Sequence, residues 1–217
     1  MSLRLRPGLS WCRCADRAVF VDLEHDRYFC LPETADACFR RWADGAVPDP
    51  DDEAMLLGCG VAEAGDGSSP QPAPRLTATR DHALAGTHRP RLADMAAAVA
   101  GQLLARWWLR RRPIAGIAAQ LARQGANRRD RVPDEALQRR IAGAFVASAM
   151  LLRATDQCLP RAIAAWRLCR RHGQHAALVL GVRLDPFAAH SWVQCGDAVI
   201  VGDLEQVRLY TPILVLP

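Results

Sequence analysis

The run His190-Ser191-Trp192-Val193-Gln194-Cys195-Gly196-Asp197-Ala198-Val199-Ile200-Val201-Gly202-Asp203 decides how the second half of this 217-residue chain folds. From His190 to Cys195 the side chains alternate, which puts His190, Trp192 and Gln194 on one face of a strand. Ala198 to Val201 is apolar and mostly β-branched, as suits a buried strand. Between them, Gly196-Asp197 places Gly at the first central position, as a type II′ turn requires. That turn predicts a hairpin in which Cys195 faces Ala198, Val193 faces Ile200, Ser191 faces Gly202 and His190 faces Asp203. Directly opposed residues have Cβ atoms about 4.5–5.5 Å apart, so this register sets a carboxylate beside an imidazole. Asp185 and Asp197 do not have that geometry.

Upstream stands Asp156-Gln157-Cys158-Leu159-Pro160-Arg161. Asp156 is the expected helix N-cap, and Pro160 is compatible only with a first turn. Ile163, Trp166 and Cys169 follow at helical spacing. Cys158 therefore falls in or just before the first turn, where unpaired N–H groups and the helix dipole favour a thiolate. A thiolate, an imidazole and an orienting carboxylate are the parts of a cysteine acyl-transfer site. The predicted roles are Cys158 as nucleophile, His190 as general base and Asp203 as the group that orients the ring. The expected oxyanion donors are the Cys158 backbone N–H and the Gln157 side chain. Cys12, Cys14, Cys30, Cys38, Cys59, Cys169 and Cys195 read as packing residues, the usual place of a free cysteine.

The segments Asp156 to Arg161, Leu178-Val179-Leu180-Gly181-Val182 and Ala189-His190-Ser191-Trp192-Val193 resemble the transglutaminase-like cysteine peptidase of lasso peptide biosynthesis. In that B-protein family the enzyme removes the leader from a ribosomally made precursor. The family's catalytic cysteine, histidine and aspartate fall on Cys158, His190 and Asp203. The chain departs from it where Gln194 replaces a common acidic residue and Gly202 a common Asn. The resemblance implies no metal and no prosthetic group, and a macrolactam synthetase as the partner that receives the new amine.

Residues 9 to 31 are strand-rich, with the polar turn Glu24-His25-Asp26 inside them. Pro32-Glu33-Thr34 opens a predicted helix to about Ala43, with Ala35, Cys38, Phe39 and Trp42 on one face. Asp49 to Leu57 reads as a second short helix. The pattern Val21-Asp22-Leu23-x-x-x-Arg27-Tyr28-Phe29-x-Leu31-x-Glu33-Thr34-Ala35 is similar to the PqqD-like leader-recognition element, a small winged-helix-like domain. The resemblance implies that an extended leader adds as a strand along Arg27, Tyr28, Phe29, Cys30 and Leu31, beside a helix wall of Asp51, Met55 and Leu56.

Gly65 to Pro74 is a linker by composition. Residues 75 to 90 stay polar, and His82 and His88 lack ligand spacing. Leu92 to Leu109 is a predicted helix with Leu92, Met95, Val99, Leu103 and Trp107 as its core stripe. Ile114 to Gln124 continues it after Pro113, and Pro133-Asp134-Glu135 opens a helix to about Leu152, buried on all sides from Ala144 onward. Ala177 to Leu184 and Val207 to Leu216 are predicted strands. The chain is thus α+β, divided into a recognition domain at 1–65, a linker at 66–90 and a transglutaminase-like, papain-like domain at 91–217.

No stretch of about twenty residues lacks charge, and no apolar signal region opens the chain, so a cytoplasmic protein with no membrane partner is expected. The net charge is +5, yet every basic residue is Arg. This is compositional bias and does not argue for nucleic acid. Arg106, Arg110, Arg111, Arg112, Arg123, Arg128, Arg129 and Arg131 form a basic zone suited to a solvated helix face or to an acidic leader or partner. The cysteines lack paired CxxC spacing, and there is neither a glycine-rich phosphate loop nor HExxH. The expected function is leader cleavage by a Cys-His-Asp mechanism. The alternatives are an amidase or acyltransferase on the same residues, and a non-catalytic peptide-binding module.

Overall fold

The computed structural model describes residues 2–82, 90–126, 132–152 and 157–217. His88, Arg128, Arg129, Arg131 and the expected cap Asp156 lie outside them.

The first unit contains β1 (Leu3–Leu5), β2 (Leu9–Cys14), β3 (Arg17–Asp22), β4 (Arg27–Cys30), α1 (Glu33–Ala43), α2 (Pro50–Gly58) and β5 (Ala62–Ala64). β2, β3 and β4 form an antiparallel sheet in that order, and β1 pairs with β5. β2 and β3 join through a two-residue loop, Ala15-Asp16, with both φ angles positive, the mark of a type I′ hairpin turn. Asp49 caps α2 by accepting from the Asp52 N–H at 2.8 Å, and Pro50 takes the first helical position. The buried face of α1 is Ala35, Cys38, Phe39 and Trp42, as its spacing predicts. Phe39 meets Trp11 and Phe20 edge-on, with centroids 4.9 and 4.7 Å apart. Asp36 is also buried there and accepts from the Ala18 N–H and the Arg40 Nε–H.

The second unit contains β6 (Arg80–Asp81), α3 (Leu92–Arg111), α4 (Ile114–Ala126), α5 (Glu135–Leu151), α6 (Cys158–Arg171), β7 (Ala176–Arg183), β8 (Ala188–Cys195), β9 (Ala198–Val201), α7 (Leu204–Val207) and β10 (Thr211–Leu216). Its sheet runs β10-β7-β8-β9-β6, antiparallel except that β6 lies parallel to β9. Pro212 sits on the edge strand β10, at an irregularity in its pairing, where a missing N–H is tolerated. α6 packs on this sheet and is flanked by α3 and α5.

Several expectations need correction. β8 and β9 are joined as predicted: Cys195 pairs with Ala198, and φ is positive at Gly196 only. Beyond that the register slips, because Gln194 pairs with Val199 but Val193 pairs with Val201. Ile200 is the extra residue of a bulge, and Val193 does not face it. The predicted strand from Val207 begins only at Thr211, since α7 takes Leu204 to Val207. The core face of α3 is Ala98, Gln102, Ala105 and Trp108, whereas Leu92, Leu103 and Trp107 are exposed. Small residues permit a close helix crossing: a Cβ on Gly101 would stand 3.2 Å from the Ala164 Cβ of α6. In α5, Ala144, Phe145 and Ser148 are buried, but Met150 is 71% exposed.

Within the span 66–90 read as linker, residues 73–82 pack against both units. The Ala73 N–H donates to the Trp11 carbonyl of β2, the Thr79 N–H to Asp197, and the His82 N–H to Val199. The units also share a core, since Cys12, Cys14, Val19 and Val21 pack with α6 and the second sheet. Ser10 Oγ donates to the Ile213 carbonyl of β10 at 2.6 Å. A shared core predicts one cooperative melting transition. Phe39→Ala, confined to the first unit's own core, should lower that single transition by an amount equivalent to about 3–5 kcal/mol. Calorimetry showing two separate transitions would contradict the coupling.

Candidate active site

α6 begins at Cys158, with Gln157 at its N-cap position. The helix is fixed by what it buries: Ile163, Trp166 and Cys169 lie, at the spacing the sequence shows, in the core that α6 shares with the second sheet. The N-terminal turn is thereby held against β8, and Cys158, His190 and Ser191 line one cleft of ≈ 640 Å³. Its apolar lining includes Leu109, Ile114, Leu159 and Leu180. Arg106, Arg110 and Arg112 give it a basic rim. Opposite, Glu24, Asp26 and Tyr28 come from the first unit.

The Cys158 thiol is brought down to about 7. The largest cause is its hydrogen bond with the His190 ring; burial opposes this, and Ser191 and the charge of His190 add to the lowering. The Ser191 hydroxyl is itself buried without a hydrogen-bond partner of ordinary geometry. Burial has the opposite effect on other thiols, pushing Cys12 and Cys38 up to about 12. Cys169 is also raised, by hydrogen bonding to Cys195 and by burial.

The His190 ring lies near two aromatic rings. It is parallel to Trp192 at 6.4 Å between centroids and tilted against Tyr210 at 5.3 Å. Gly181 pairs with His190 across β7 and β8. A Cβ there would stand 2.6 Å from Trp192 Cζ3 and 3.0 Å from Tyr210 Cβ, so glycine is what lets both rings close beside the histidine.

Asp203 is not joined to this pair. It is exposed, and its carboxylate caps α7 by accepting from the Gln206 N–H at 3.1 Å. The bulge at Ile200 removes the register that would have set it opposite His190. His190 Nε2 is buried and has no hydrogen-bond partner among the described residues. Gln157 lines the cleft, and its side-chain oxygen is likewise buried and unpartnered.

β4 forms one edge of the first sheet. Of the residues expected to contact a leader, Arg27 and Cys30 are exposed, Tyr28 and Phe29 half-buried. Asp51 is exposed and Met55 packs partly on the first core. Leu31 and Leu56 are corrections: Leu31, between β4 and α1, and Leu56, on α2, are both buried in that core, so neither side chain is open to a peptide. Tyr28 is the member that sequence reasoning undervalued, because it lines the Cys158 cleft.

Among the described residues, Asp22, Glu24 and His25 bring possible ligand atoms within 4.8 Å of one another. The Arg6 guanidinium already sits on Asp22 at 2.6 Å and supplies the positive charge a cation would bring. In the basic zone, Arg111 lies over the Trp107 ring, and Arg123 lines a second cleft with Arg167, Arg170 and Arg171. No described helix is long and apolar enough to cross a membrane.

The sequence model for the Transglutaminase-like superfamily matches residues 74–215. The match takes in α3 to α7, all five strands of the second sheet, and the segment before β6. No curated protein and no solved structure matches the chain.

The thiol's position on the pH scale is directly measurable. Alkylation of Cys158 by iodoacetamide, followed by peptide mass mapping, should rise with pH through a midpoint of about 7 and then level. Cys12 and Cys38, held at about 12, should label far more slowly at neutral pH. His190→Ala removes the largest cause of the lowering, so the midpoint should move upward and labelling at pH 7 should fall. An unmoved midpoint would dissociate the ring from the sulfur.

Proposed function

We propose, from the premise that the chain belongs to the transglutaminase-like superfamily, that it is the leader peptidase of a lasso peptide pathway. The superfamily generally carries cysteine-based peptide hydrolysis or acyl transfer. The observation that carries the cysteine chemistry is a thiol held at about 7 in a cleft that it shares with an imidazole; the leader as substrate rests on the resemblance of residues 21–35 and 156–193.

Cys158 passes its proton to His190, and the sulfur attacks the carbonyl carbon of the scissile peptide. His190 returns the proton to the departing amine of the core. The same ring then deprotonates a water that releases the leader as a free acid. The Cys158 N–H and the Gln157 side chain are the proposed donors for the developing oxyanion. The leader adds as a strand to the β4 edge through Arg27, Tyr28, Phe29 and Cys30, beside Asp51 and Met55. Holding the substrate there raises its local concentration at the sulfur. The released core amine then passes to a macrolactam synthetase in the same cytoplasm.

Asp203 is proposed to orient the imidazole by turning from the α7 cap to His190 Nε2. The buried, unpartnered nitrogen supports this, because leaving it so costs about 1–3 kcal/mol. The α7 cap it would give up is worth about 1 kcal/mol. Asp203→Asn separates the two roles, since Asn caps a helix as well as Asp does. An orienting carboxylate predicts a fall in cleavage rate of about a hundredfold or more at an unchanged melting temperature. Wild-type rates in that variant would leave Asp203 as a cap alone.

The reaction itself is tested by co-expression with a neighbouring short open reading frame that encodes a candidate precursor, and mass spectrometry of the peptide. Wild type should yield the core with a free amine, and Cys158→Ala should leave the precursor intact. Cleavage that survives the substitution would defeat the mechanism, and an amine adduct on the acyl fragment would make the protein a transferase. Isolated leader peptide should inhibit cleavage of the full precursor competitively. Deleting the first unit is a poor substitute for that measurement, because it would expose the shared core.

A further inference from the structure

The first unit lines the cleft that holds the sulfur. Its β3–β4 hairpin contributes Glu24, Asp26 and Tyr28 to the cleft that holds Cys158. The turn is clamped by Asp22, which is 0% exposed. The Asp22 carboxylate accepts from the Glu24 N–H at 3.1 Å, the His25 N–H at 3.2 Å and Arg6 Nη2 at 2.6 Å, and contacts His25 Nδ1 at 2.9 Å. Burial works against that charge, yet the bonds from Arg6 and His25 hold it down to about 2. The hairpin is tied to the second unit as well. The Ala115 N–H at the start of α4 donates to the Leu23 carbonyl at 3.1 Å. The Tyr28 ring packs on Phe187, in the β7–β8 connection, with centroids 5.7 Å apart. Tyr28 therefore stands at a fixed place in the cleft, held from both units.

We propose that this hairpin is a wall of the acyl-transfer site, and that the Tyr28 phenol is a substrate-positioning donor, hydrogen-bonding the carbonyl oxygen of the acyl group presented to Cys158. The proposal rests on the cysteine acyl-transfer reading given above. In the step concerned the C–S bond forms, and the carbonyl π pair moves onto oxygen, where the phenol O–H meets it. Collapse of that intermediate breaks the bond to the leaving group, which departs with a proton from His190. Tyr28 keeps its own proton throughout. Its environment keeps it a donor: burial first, then the charges of Asp26 and Cys158, push the phenol up to about 12. A phenylalanine would serve as well if the ring only packed on Phe187. The hydroxyl adds to that packing a donor for an acceptor that enters the cleft.

Two probes of one sulfur test this in the full-length protein. N-acetyl-leucine p-nitrophenyl ester acylates Cys158 through a tetrahedral oxyanion and expels nitrophenolate. Iodoacetamide alkylates the same thiolate by displacement at an sp³ carbon and forms no oxyanion. Tyr28→Phe should slow the Cys158-dependent nitrophenolate burst at least about tenfold, a modest share of what one oxyanion donor contributes. Its alkylation rate at pH 7 should stay within about twofold of wild type, because the thiolate is untouched. An unchanged burst in Tyr28→Phe, with no burst in Cys158→Ala, would overturn the donor role and leave the cysteine reading standing. Equal slowing of both probes would also overturn it, since Tyr28 would then act through the sulfur. A burst that persists in Cys158→Ala would sink the acyl-transfer reading and this proposal together.

Discussion

The contact between the Cys158 sulfur and the His190 ring sets the demands that the surrounding structure meets. The two residues come from different elements, a helix start and a strand, so the contact exists only if α6 is pinned to β8. Hydrophobic burial does the pinning. Ile163, Trp166 and Cys169 are removed from water in the core that α6 shares with the sheet, and each large apolar side chain so buried contributes about 1.5–3 kcal/mol. On the far side, Gly101 of α3 admits Ala164 closely enough that a methyl group would press on it. The histidine end is held by a different device, two aromatic rings drawn in over a glycine. Neither device is chemical in itself. Together they place a sulfur and an imidazole where each alters the other.

What the sequence made legible follows from which signals are local. α1, α2 and α6 each carry a cap, a proline or an apolar period, and lie where those place them. The β8–β9 turn is legible because a two-residue loop with Gly first admits few conformations. The bulge is not, because Ala198 to Val201 is apolar on both faces and both faces are buried. A register slip there moves no polar side chain into the core, so nothing in the pattern marks it. That one residue is why Asp203 lies away from the place the hairpin assigned it. α7 has four residues, too few for a period, although Asp203 at its start is a legible cap. In α3 the large apolar residues lie outside, because close crossing with α6 favours alanine and glycine over bulk.

The composition of 66–74 misleads in another way. Gly, Ser and Pro there speak for a flexible tether, and a tether would leave two units to move independently. The burial pattern of β3 contradicts this, because five successive residues, Ala18 to Asp22, are buried instead of alternating. A strand buried on both faces has partners on both faces. Here α1 lies on one side, and β10 and its neighbours lie on the other.

Two covered faces leave the sheet only its edges. The β2 edge meets the segment around Ala73, whose N–H donates to Trp11. β4 is the remaining edge, and its residue Tyr28 lines the cleft of Cys158. A strand advances about 3.3 Å per residue. A peptide laid along a rigid edge therefore presents its bonds to a fixed sulfur in steps of that size, and a shift of one residue along β4 changes which bond is offered. A slack linker would blur such steps over many ångströms. On the leader-peptidase reading proposed above, the shared core, by denying the two units independent motion, would turn the place where a peptide is held into a statement about where it is cut.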